Sequence, residues 1–271
     1  MNQRKLASSI GWGYYLVIAL LLYIPIVLLI VFSFNDSTLL AFPLKGFTLK
    51  WYRQLWEDTE LLRALYNSLV VGILSSLVAT AIGTFAAIGV TRFRFIGKDF
   101  FLNVASLPLV VPYVVLGVAM LLLFRFLGIE LSLWTVGIGH VVINIPYVLL
   151  IVAARLAGFD KRIEEAAMDL GANYWQTLWR VTLPICTPAL LASFLSSLTT
   201  SFDEFALTFF LTGTDNTLPI YLYSQLRFPT RVPLVITLAA VIILVTLVIV
   251  LLQEWLRHLD QPKRRKGIEI T

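Results

Sequence analysis

Two neighbouring carboxylates, Asp203 and Glu204, lie in a stretch of the chain that is otherwise apolar or rich in hydroxyl groups. Glu204 and four hydroxyl residues recur at intervals of three or four positions, the spacing of one face of a helix. This stripe consists of Ser193, Ser197, Thr200, Glu204 and Thr208. Because carboxylates attract cations, the stripe predicts a polar path for a small cationic solute. The alternative interpretation is that the two acids contact Arg125, Arg227 or a neighbouring subunit and serve assembly.

Other polar residues in apolar segments are candidates for the same path. Tyr113, Asn144 and Tyr147 can contribute hydrogen-bonding groups, and the alternative for each is a contact between helices. His140 is predicted to be a helix-packing residue rather than a ligand. The predicted path residues are Asp203, Glu204, Thr200, Ser197, Asn144 and Tyr113.

The elements that must position these residues are long, predominantly apolar segments. Hydrophobic residues make up 59% and charged residues 14% of the 271 positions, which is more apolar surface than a soluble fold of this size can bury. Six segments exceed the roughly 20 residues that a helix needs to cross about 30 Å of hydrocarbon. They are predicted as spans at residues 12–34, 65–91, 101–124, 133–155, 185–211 and 233–256. The predicted fold class is therefore all-α integral membrane, with six transmembrane helices.

Prolines and glycines predict how these helices bend and pack. Pro108 with Pro112 is expected to break or kink the third span, and Pro146 the fourth. Gly72 and Gly83 in the second span are expected to allow close approach of another helix.

The distribution of basic residues predicts the orientation, because lysine and arginine are enriched in cytoplasmic loops. With both termini in the cytoplasm, 14 of these residues lie inside and 7 outside. The outside residues are Lys45, Lys50, Arg53, Arg63, Arg125, Arg227 and Arg231. The basic run at 263–266 is interpreted as an anchor near anionic lipid rather than a nucleic-acid site. The long outer loop is expected to pack on the membrane surface through Phe47, Trp51, Tyr52 and Trp56.

A long polar inner loop at 158–182 separates the fourth and fifth spans. Strong helix formers predict a short helix at 161–170, with Gly171 as its C-terminal cap. Asn173 is expected to cap a second helix, with Gln176 three residues later as in a capping box.

The two short helices are expected to present different surfaces. Glu165 and Asp169, four positions apart, offer anionic contacts to a basic groove, and the two alanines between them permit close approach. The second helix has an apolar face that must be covered, formed by Trp175, Leu178 and Trp179. Pro184 is expected to end this unit before the fifth span. The alternative is a connector that lies on the membrane surface, with the aromatic residues as interface anchors.

The inner loop also carries a sequence motif from Glu165 to Pro184. It consists of Glu-Ala-Ala, three residues, Gly, nine residues and Val-x-Leu-Pro. This spacing resembles the cytoplasmic loop by which permease subunits of bacterial ABC importers dock onto their ATPase partners. Val181 stands where that family usually has isoleucine. Segments at 46–55, 92–100, 154–172 and 213–227 resemble permeases of the spermidine/putrescine importer group, and the chain resembles the second permease of the pair.

The resemblance implies a type I ABC importer permease fold in the bacterial inner membrane. The implied partners are a paired homologous permease, two ATPase subunits and an extracytoplasmic solute-binding protein, besides membrane lipid and without nucleic acid. No cofactor is expected on this chain, since ATP and Mg belong to the ATPase. The implied ATPase-docking residues are Glu165, Ala166, Ala167, Asp169, Gly171, Ala172, Leu183 and Pro184.

The resemblance also suggests a division of the chain and a solute. Residues 1–63 form the N-terminal tail, first span and outer loop, and the first span is expected to wrap the paired permease. Residues 64–257 form a five-helix transport core that includes the docking loop, and 258–271 form a basic cytoplasmic tail. A polyamine is the favoured solute, with an opine, a 4-aminobutyrate-like compound or an aminophosphonate as alternatives.

Two other classes of protein fit the sequence less well. An ion-coupled secondary transporter would need no inner docking loop and no ATPase. A membrane enzyme is disfavoured because GxxxxGK[ST], HExxH, CxxC and GxSxG are all absent from the sequence. The chain is therefore predicted to carry no metal site and no ATP-hydrolysing site of its own.

Overall fold

The structure is a computed structural model that describes the backbone of residues 2–260 and the side chains of residues 11–245, 247 and 248. The run at 263–266, and with it most of the predicted tail, lies outside the described residues. The helices are α1 (Asn2–Ser33), α2 (Lys50–Glu57), α3 (Thr59–Arg92), α4 (Lys98–Val110), α5 (Tyr113–Phe126), α6 (Leu133–Ala157), α7 (Arg162–Asp169), α8 (Tyr174–Thr177), α9 (Leu183–Asp203), α10 (Thr208–Leu211), α11 (Leu218–Gln225) and α12 (Val232–Asp260). A π-turn at Leu178–Thr182 joins α8 to α9.

The predicted all-α class is confirmed, since an isolated bridge between Asn35 and Phe47 is the one extended pairing among the described residues. Four helical stretches there are long and apolar enough to cross a membrane: Gly11–Ser33, Thr59–Arg92, Leu133–Ala157 and Tyr174–Asp203. The bent pair α4 and α5 gives a fifth. The apolar stretch Val232–Val245 within α12 is shorter. The count of six spans and the cytoplasmic position of both termini therefore stay predictions.

The third predicted span is broken between α4 and α5, whose axes differ in direction by 109°. The break lies at Val111, which has an extended backbone (φ −74°, ψ 128°) directly before Pro112. A proline ring disfavours helical backbone in the residue that precedes it, which explains the position of the break. Pro108 lies inside α4, and α6 runs through Pro146 without interruption. The break predicted from the prolines thus occurs at Pro112.

Of the described backbone, one compact unit comprises residues 2–59 and 224–260, with α1, α2 and α12. The Thr237 hydroxyl of α12 donates to the carbonyl of Ser33 at the end of α1 (3.4 Å), and Arg231 forms an ion pair with Asp58 (3.1 Å). The long apolar face of α1 is exposed within this unit, as expected for a helix surrounded by lipid or another subunit.

The outer loop of this unit differs from the prediction at one of its aromatic residues. Trp51 is buried and donates its indole N–H to the carbonyl of Asn35 (2.9 Å), so it packs inside the protein and is not a membrane-surface anchor. A buried indole needs an acceptor for its N–H, and the loop backbone supplies it. Phe47 and Trp56 are exposed, which leaves them available for the predicted role.

The second compact unit comprises residues 60–223, and its most extensive packing is between α6 and α9. Helix α3 contacts α9 through the hydroxyls of Ser75 and Ser201, which lie 3.3 Å apart. A Cβ on Gly83 would lie 2.6 Å from Val148 Cβ, so only glycine permits this approach of α3 to α6, as the sequence predicted for this residue. Two apolar clusters fill the unit. One lies around Ile143 and Leu207, and the other joins Val152 and Leu156 of α6 to Leu178 and Cys186.

Candidate functional site

The first short helix of the inner loop, α7, ends in a fully bonded glycine cap. Gly171 has φ +93°, in the left-handed region that favours glycine. Its N–H donates to the carbonyl of Met168 (2.9 Å), and the N–H of Ala172 donates to the carbonyl of Ala167 (3.1 Å). These two bonds form a Schellman motif. The predicted cap at Gly171 is confirmed, and α7 occupies Arg162–Asp169 within the predicted 161–170.

The second predicted cap is also confirmed. The backbone N–H of Gln176 donates to Asn173 Oδ1, and the N–H of Asn173 donates to Gln176 Oε1, both at 2.9 Å. This reciprocal pair is the capping box that begins α8.

The expected stop at Pro184 is wrong. Pro184 lies at the start of α9, and helical backbone continues from α8 through the π-turn into α9. The N–H of Leu183 reaches back five residues to the carbonyl of Leu178. A proline inside a helix lacks an N–H and clashes with the carbonyl four residues before it, and the wider π-turn accommodates both effects at this point. The inner loop is therefore in continuous helical connection with the fifth span.

The motif residues of α7 form an exposed surface. Glu165, Ala166, Asp169 and Gly171 are exposed, whereas Ala167 and Ala172 are half-buried. Glu165 forms an exposed ion pair with Lys161 (3.5 Å). The predicted apolar face of the second helix divides in two. Leu178 is 4% exposed and packs in the core, whereas Trp175 and Trp179 are 62% and 61% exposed.

A buried ion pair holds α7 against the end of α3, a contact that no local sequence pattern predicts. Arg92 Nε lies 2.8 Å from Glu164 Oε2, and the Thr182 hydroxyl donates to Glu164 Oε1 (2.7 Å). Arg92 Nη1 also donates to the carbonyl of Leu156 at the end of α6 (3.3 Å). The guanidinium lies 5.6 Å from the centre of the Phe159 ring. One guanidinium–carboxylate pair thus joins α3, α6, α7 and the π-turn.

The end of the fifth span differs from the predicted continuous stripe. Helix α9 ends at Asp203, Glu204 is extended (φ −73°, ψ 116°), and α10 begins only at Thr208. The Glu204 carboxylate accepts from the backbone N–H groups of Leu207 (2.9 Å) and Thr208 (2.9 Å). It therefore caps the turn that leads into α10, which a residue in mid-helix cannot do because its neighbours' N–H groups are already bonded.

A chain of side-chain hydrogen bonds connects this turn to α6 and α3. The Thr208 hydroxyl contacts Glu204 Oε2 (3.1 Å) and His140 Nε2 (2.8 Å). His140 Nδ1 contacts the Ser201 hydroxyl (2.5 Å), which in turn lies 3.3 Å from Ser75 Oγ. His140 is a bonded helix-packing residue, as predicted.

The remaining candidates for the solute path differ in how far their side chains are exposed. Ser197 and Asn144 are fully buried, and the Asn144 amide donates to the carbonyl of His140 (2.8 Å). Thr200 is half-buried and Asp203 is exposed, because Ser201 rather than Thr200 continues the buried face of α9 after Ser197. The hydroxyls of Tyr113 and Tyr147 lie 3.3 Å apart. The path roles of these residues stay predictions.

Residues 79–259, which contain the inner loop and the fifth span, match the family model described as "binding-protein-dependent transport system inner membrane component". The chain belongs to this family. This inner membrane component is therefore a permease of the ABC transport family, and its place is the inner membrane, as the inner-loop motif predicted.

Individual relatives agree with this assignment, and a solved structure shares the fold. The spermidine/putrescine transport system permease protein PotC of Escherichia coli strain K12 is 36% identical over 256 residues, covering 94% of this chain and 96% of the relative. The putrescine transport system permease protein PotI of the same strain is 34% identical over 214 residues, 76% of each chain. A bacterial alginate ABC transporter, in complex with an alginate pentasaccharide-bound periplasmic protein, has a chain that superposes with a TM-score of 0.68. At 18% identity, over 97% of this chain and 96% of the other, this likeness shows the shared fold.

Two features of the inner loop and of the end of the fifth span were not predicted from the sequence. The Arg92–Glu164 pair joins two segments that no local pattern relates, and Arg92 was considered only as one of the 14 inside basic residues and as the first residue of the segment 92–100. The capping role of Glu204 had a local signal, because an acid three residues before Leu207 can cap the turn that follows it.

Proposed function

We propose that this chain is the membrane permease of an ABC importer that moves a polyamine from an extracytoplasmic solute-binding protein into the cytoplasm. The observation that carries the proposal is the 36% identity to a spermidine/putrescine permease over 94% of the chain. In this proposal the chain works with a paired homologous permease and two ATPase subunits. It binds no cofactor, because ATP and Mg remain on the ATPase.

The surface geometry of the inner loop supports ATPase docking. Glu165 and Asp169 present two carboxylates on the exposed side of α7, which suits a basic groove on a partner. Trp175 and Trp179 add large exposed aromatic side chains close by, and such residues often carry most of the binding energy of an interface. The Schellman motif at Gly171 fixes the angle between these two groups.

The fifth span supports a path for a cation. An ionised carboxylate at mid-bilayer costs about 2.5–3.5 kcal/mol on insertion scales, so an acid in a span needs water or partners. Glu204 has hydrogen-bond partners for its carboxylate, whereas Asp203 is exposed at the end of α9. In the proposal Asp203 faces the path and attracts the ammonium groups of the solute.

The proposed mechanism is alternating access. Closure of the two ATPase subunits moves the docking loop, and the continuous helical connection from α8 through the π-turn carries that motion into α9. The cavity then turns outward to receive solute from the binding protein, and ATP hydrolysis on the partner returns it to the inward-facing state.

The test is ATPase activity of the full complex in liposomes, with the binding protein and a panel of putrescine, spermidine, 4-aminobutyrate and an opine. Stimulation by a polyamine is the expected result. Stimulation by an amino-acid-like solute alone would keep the importer and refute the polyamine. Solute uptake without any ATPase would refute the importer and favour an ion-coupled transporter.

A further inference from the structure

We propose that Arg92 and Glu164 form the mechanical joint through which movement of the docking loop reaches α3, α6 and α9. The inference rests on the docking role proposed above for the inner loop. Arg92 and Glu164 are then positioning residues that help to couple ATP hydrolysis to transport, although neither belongs to the docking motif.

The joint connects four elements through two side chains. Arg92 is the last residue of α3, and its guanidinium binds Glu164 of α7 (2.8 Å) and the carbonyl of Leu156 near the end of α6 (3.3 Å). The second oxygen of Glu164 accepts from Thr182, the last residue of the π-turn that leads into α9 (2.7 Å). The loop is therefore linked at one point to α3 and to the residue that precedes α9, and through Arg92 to α6.

Burial distinguishes this pair from the other ion pairs of the described residues. The side chains of Arg92 and Glu164 are 11% and 10% exposed, whereas five other ion pairs of the described residues each have at least one side chain exposed by two-fifths or more. Exposed pairs exchange partners with water and fix little geometry. A buried pair is costly to break, because separation leaves an unpaired charge in a medium that solvates it poorly. The pair therefore constrains the position of α7 more than the exposed pairs constrain their elements.

The two adjacent acids of α7 have opposite surroundings. Glu165 is exposed and belongs to the proposed docking surface, whereas Glu164 is buried against Arg92. Successive residues of a helix point about 100° apart, so one turn of helix can contact the ATPase on one side and the membrane helices on the other. A displacement of the docked surface is thereby transmitted to Arg92 within one turn of α7.

The experiment uses the complete importer in liposomes, with the binding protein and putrescine as the probe. The variants are Glu164→Gln, which keeps the side-chain volume, Arg92→Ala, and the exchange of charges in Arg92→Glu with Glu164→Arg. Arg94→Ala is the matched control, because Arg94 is an exposed arginine two residues further along the same inner turn. The measured quantities are co-purification with the ATPase, ATPase activity with and without loaded binding protein, and solute moved per ATP hydrolysed.

We expect Glu164→Gln and Arg92→Ala to co-purify with the ATPase and to keep basal hydrolysis. The ratio of solute moved to ATP hydrolysed should fall by about fivefold or more, the factor that corresponds to the lower end of typical coupling free energies between two sites. The charge exchange should recover part of the ratio, and Arg94→Ala should match the unaltered chain.

Three results would overturn the joint. The first is an unchanged ratio in Glu164→Gln, the variant least disturbed in shape. The second is a variant that assembles in smaller amount but keeps the normal ratio, since this marks a purely structural role. The third is a charge exchange that assembles yet stays as uncoupled as the single variants. Failure of the unaltered chain to bind any ATPase would instead refute the docking proposal.

Discussion

The carboxylate of Glu204 accepts a hydrogen bond from the hydroxyl of Thr208 at 3.1 Å, and both residues are buried. The same carboxylate accepts two backbone N–H groups of the turn between α9 and α10. Glu204 therefore has a structural task that a neutral side chain cannot fully perform. Its neighbour Asp203 is exposed and has no ion pair among the residues that the structure describes. The two acids should consequently respond differently to the same substitution.

Glu204→Gln is expected to weaken the fold as well as transport. Glutamine keeps the volume but has one acceptor oxygen, whereas the carboxylate has two. The NH2 group of glutamine would take the place of one carboxylate oxygen and would face a backbone N–H, from which it cannot accept a hydrogen bond. An unsatisfied buried group costs about 1–3 kcal/mol, so the melting temperature of the purified complex should fall together with uptake. Thermal unfolding in detergent measures the effect. A melting temperature equal to that of the unaltered chain would show that the cap contributes nothing.

Asp203→Asn should leave the fold intact and lower uptake of a cation. Asp203 ends α9, where a negative charge opposes the helix dipole, so the melting temperature should stay equal or rise slightly. Unit charges 4 Å apart in water interact by about 1 kcal/mol, which corresponds to about a fivefold rise in KM for a cationic solute. Putrescine uptake measures KM, and the Glu204→Gln variant is the matched amide substitution. Unchanged KM and kcat with a normal melting temperature would remove Asp203 from the path.

The features predicted correctly are those that depend on residues close together in the sequence. The glycine cap at Gly171, the capping box of Asn173 with Gln176 and the helix break before Pro112 each depend on a few neighbouring residues. Steric and hydrogen-bonding rules for such short segments hold in almost any surroundings.

Apart from the stop at Pro184, which the local geometry of the π-turn removes, the features that were predicted wrongly or missed depend on tertiary contacts. The helical spacing of the hydroxyl residues continues beyond Asp203, yet α9 ends there because Glu204 bonds the next turn and Thr208 contacts His140 of α6. Trp51 was expected on the membrane surface, but the carbonyl of Asn35 gives its indole an acceptor inside the protein. The Arg92–Glu164 pair needs the fold of α3 against the inner loop, which no local pattern contains.

Gly171→Asp is expected to uncouple ATP hydrolysis from transport without preventing membrane insertion. A side chain in the left-handed region costs about 1–2 kcal/mol, and the added carboxylate also opposes the C-terminal end of the α7 dipole. The Schellman motif should open and turn the exposed tryptophans away from Glu165. A loss of about 1.4 kcal/mol in docking would weaken ATPase binding tenfold. Co-purification and solute-stimulated ATPase activity measure the effect.

Gly97→Asp is the control for backbone strain at Gly171. Gly97 has φ +88° in the inner turn before α4, and a Cβ there meets nothing within 4 Å, as at Gly171. This variant carries the same left-handed strain outside the docking loop, so it should bind the ATPase normally. Equal loss of ATPase binding in both variants would mean that strain alone, and not the docking surface, explains the result.

Substitutions at two adjacent residues of the π-turn should affect ATPase docking and protein stability separately. Trp179 is 61% exposed, so Trp179→Ala should leave the melting temperature unchanged. If Trp179 carries docking energy at the scale of an interface hot spot, about 2 kcal/mol, its loss weakens ATPase binding by about thirtyfold. Leu178 packs with Leu156 and Cys186, so Leu178→Ala should destabilise the protein by about 2–5 kcal/mol.

Trp134→Ala completes this comparison, because Trp134 is also an exposed tryptophan (78%) and lies at the opposite end of α6 from the inner loop. It should change neither the melting temperature nor the affinity for the ATPase, measured by titration of the purified subunits in detergent. If Trp179→Ala binds the ATPase as tightly as Trp134→Ala does, the tryptophan of the π-turn is a membrane-surface anchor. In that case its exposed ring serves the bilayer interface, and the docking energy must come from the carboxylates of α7.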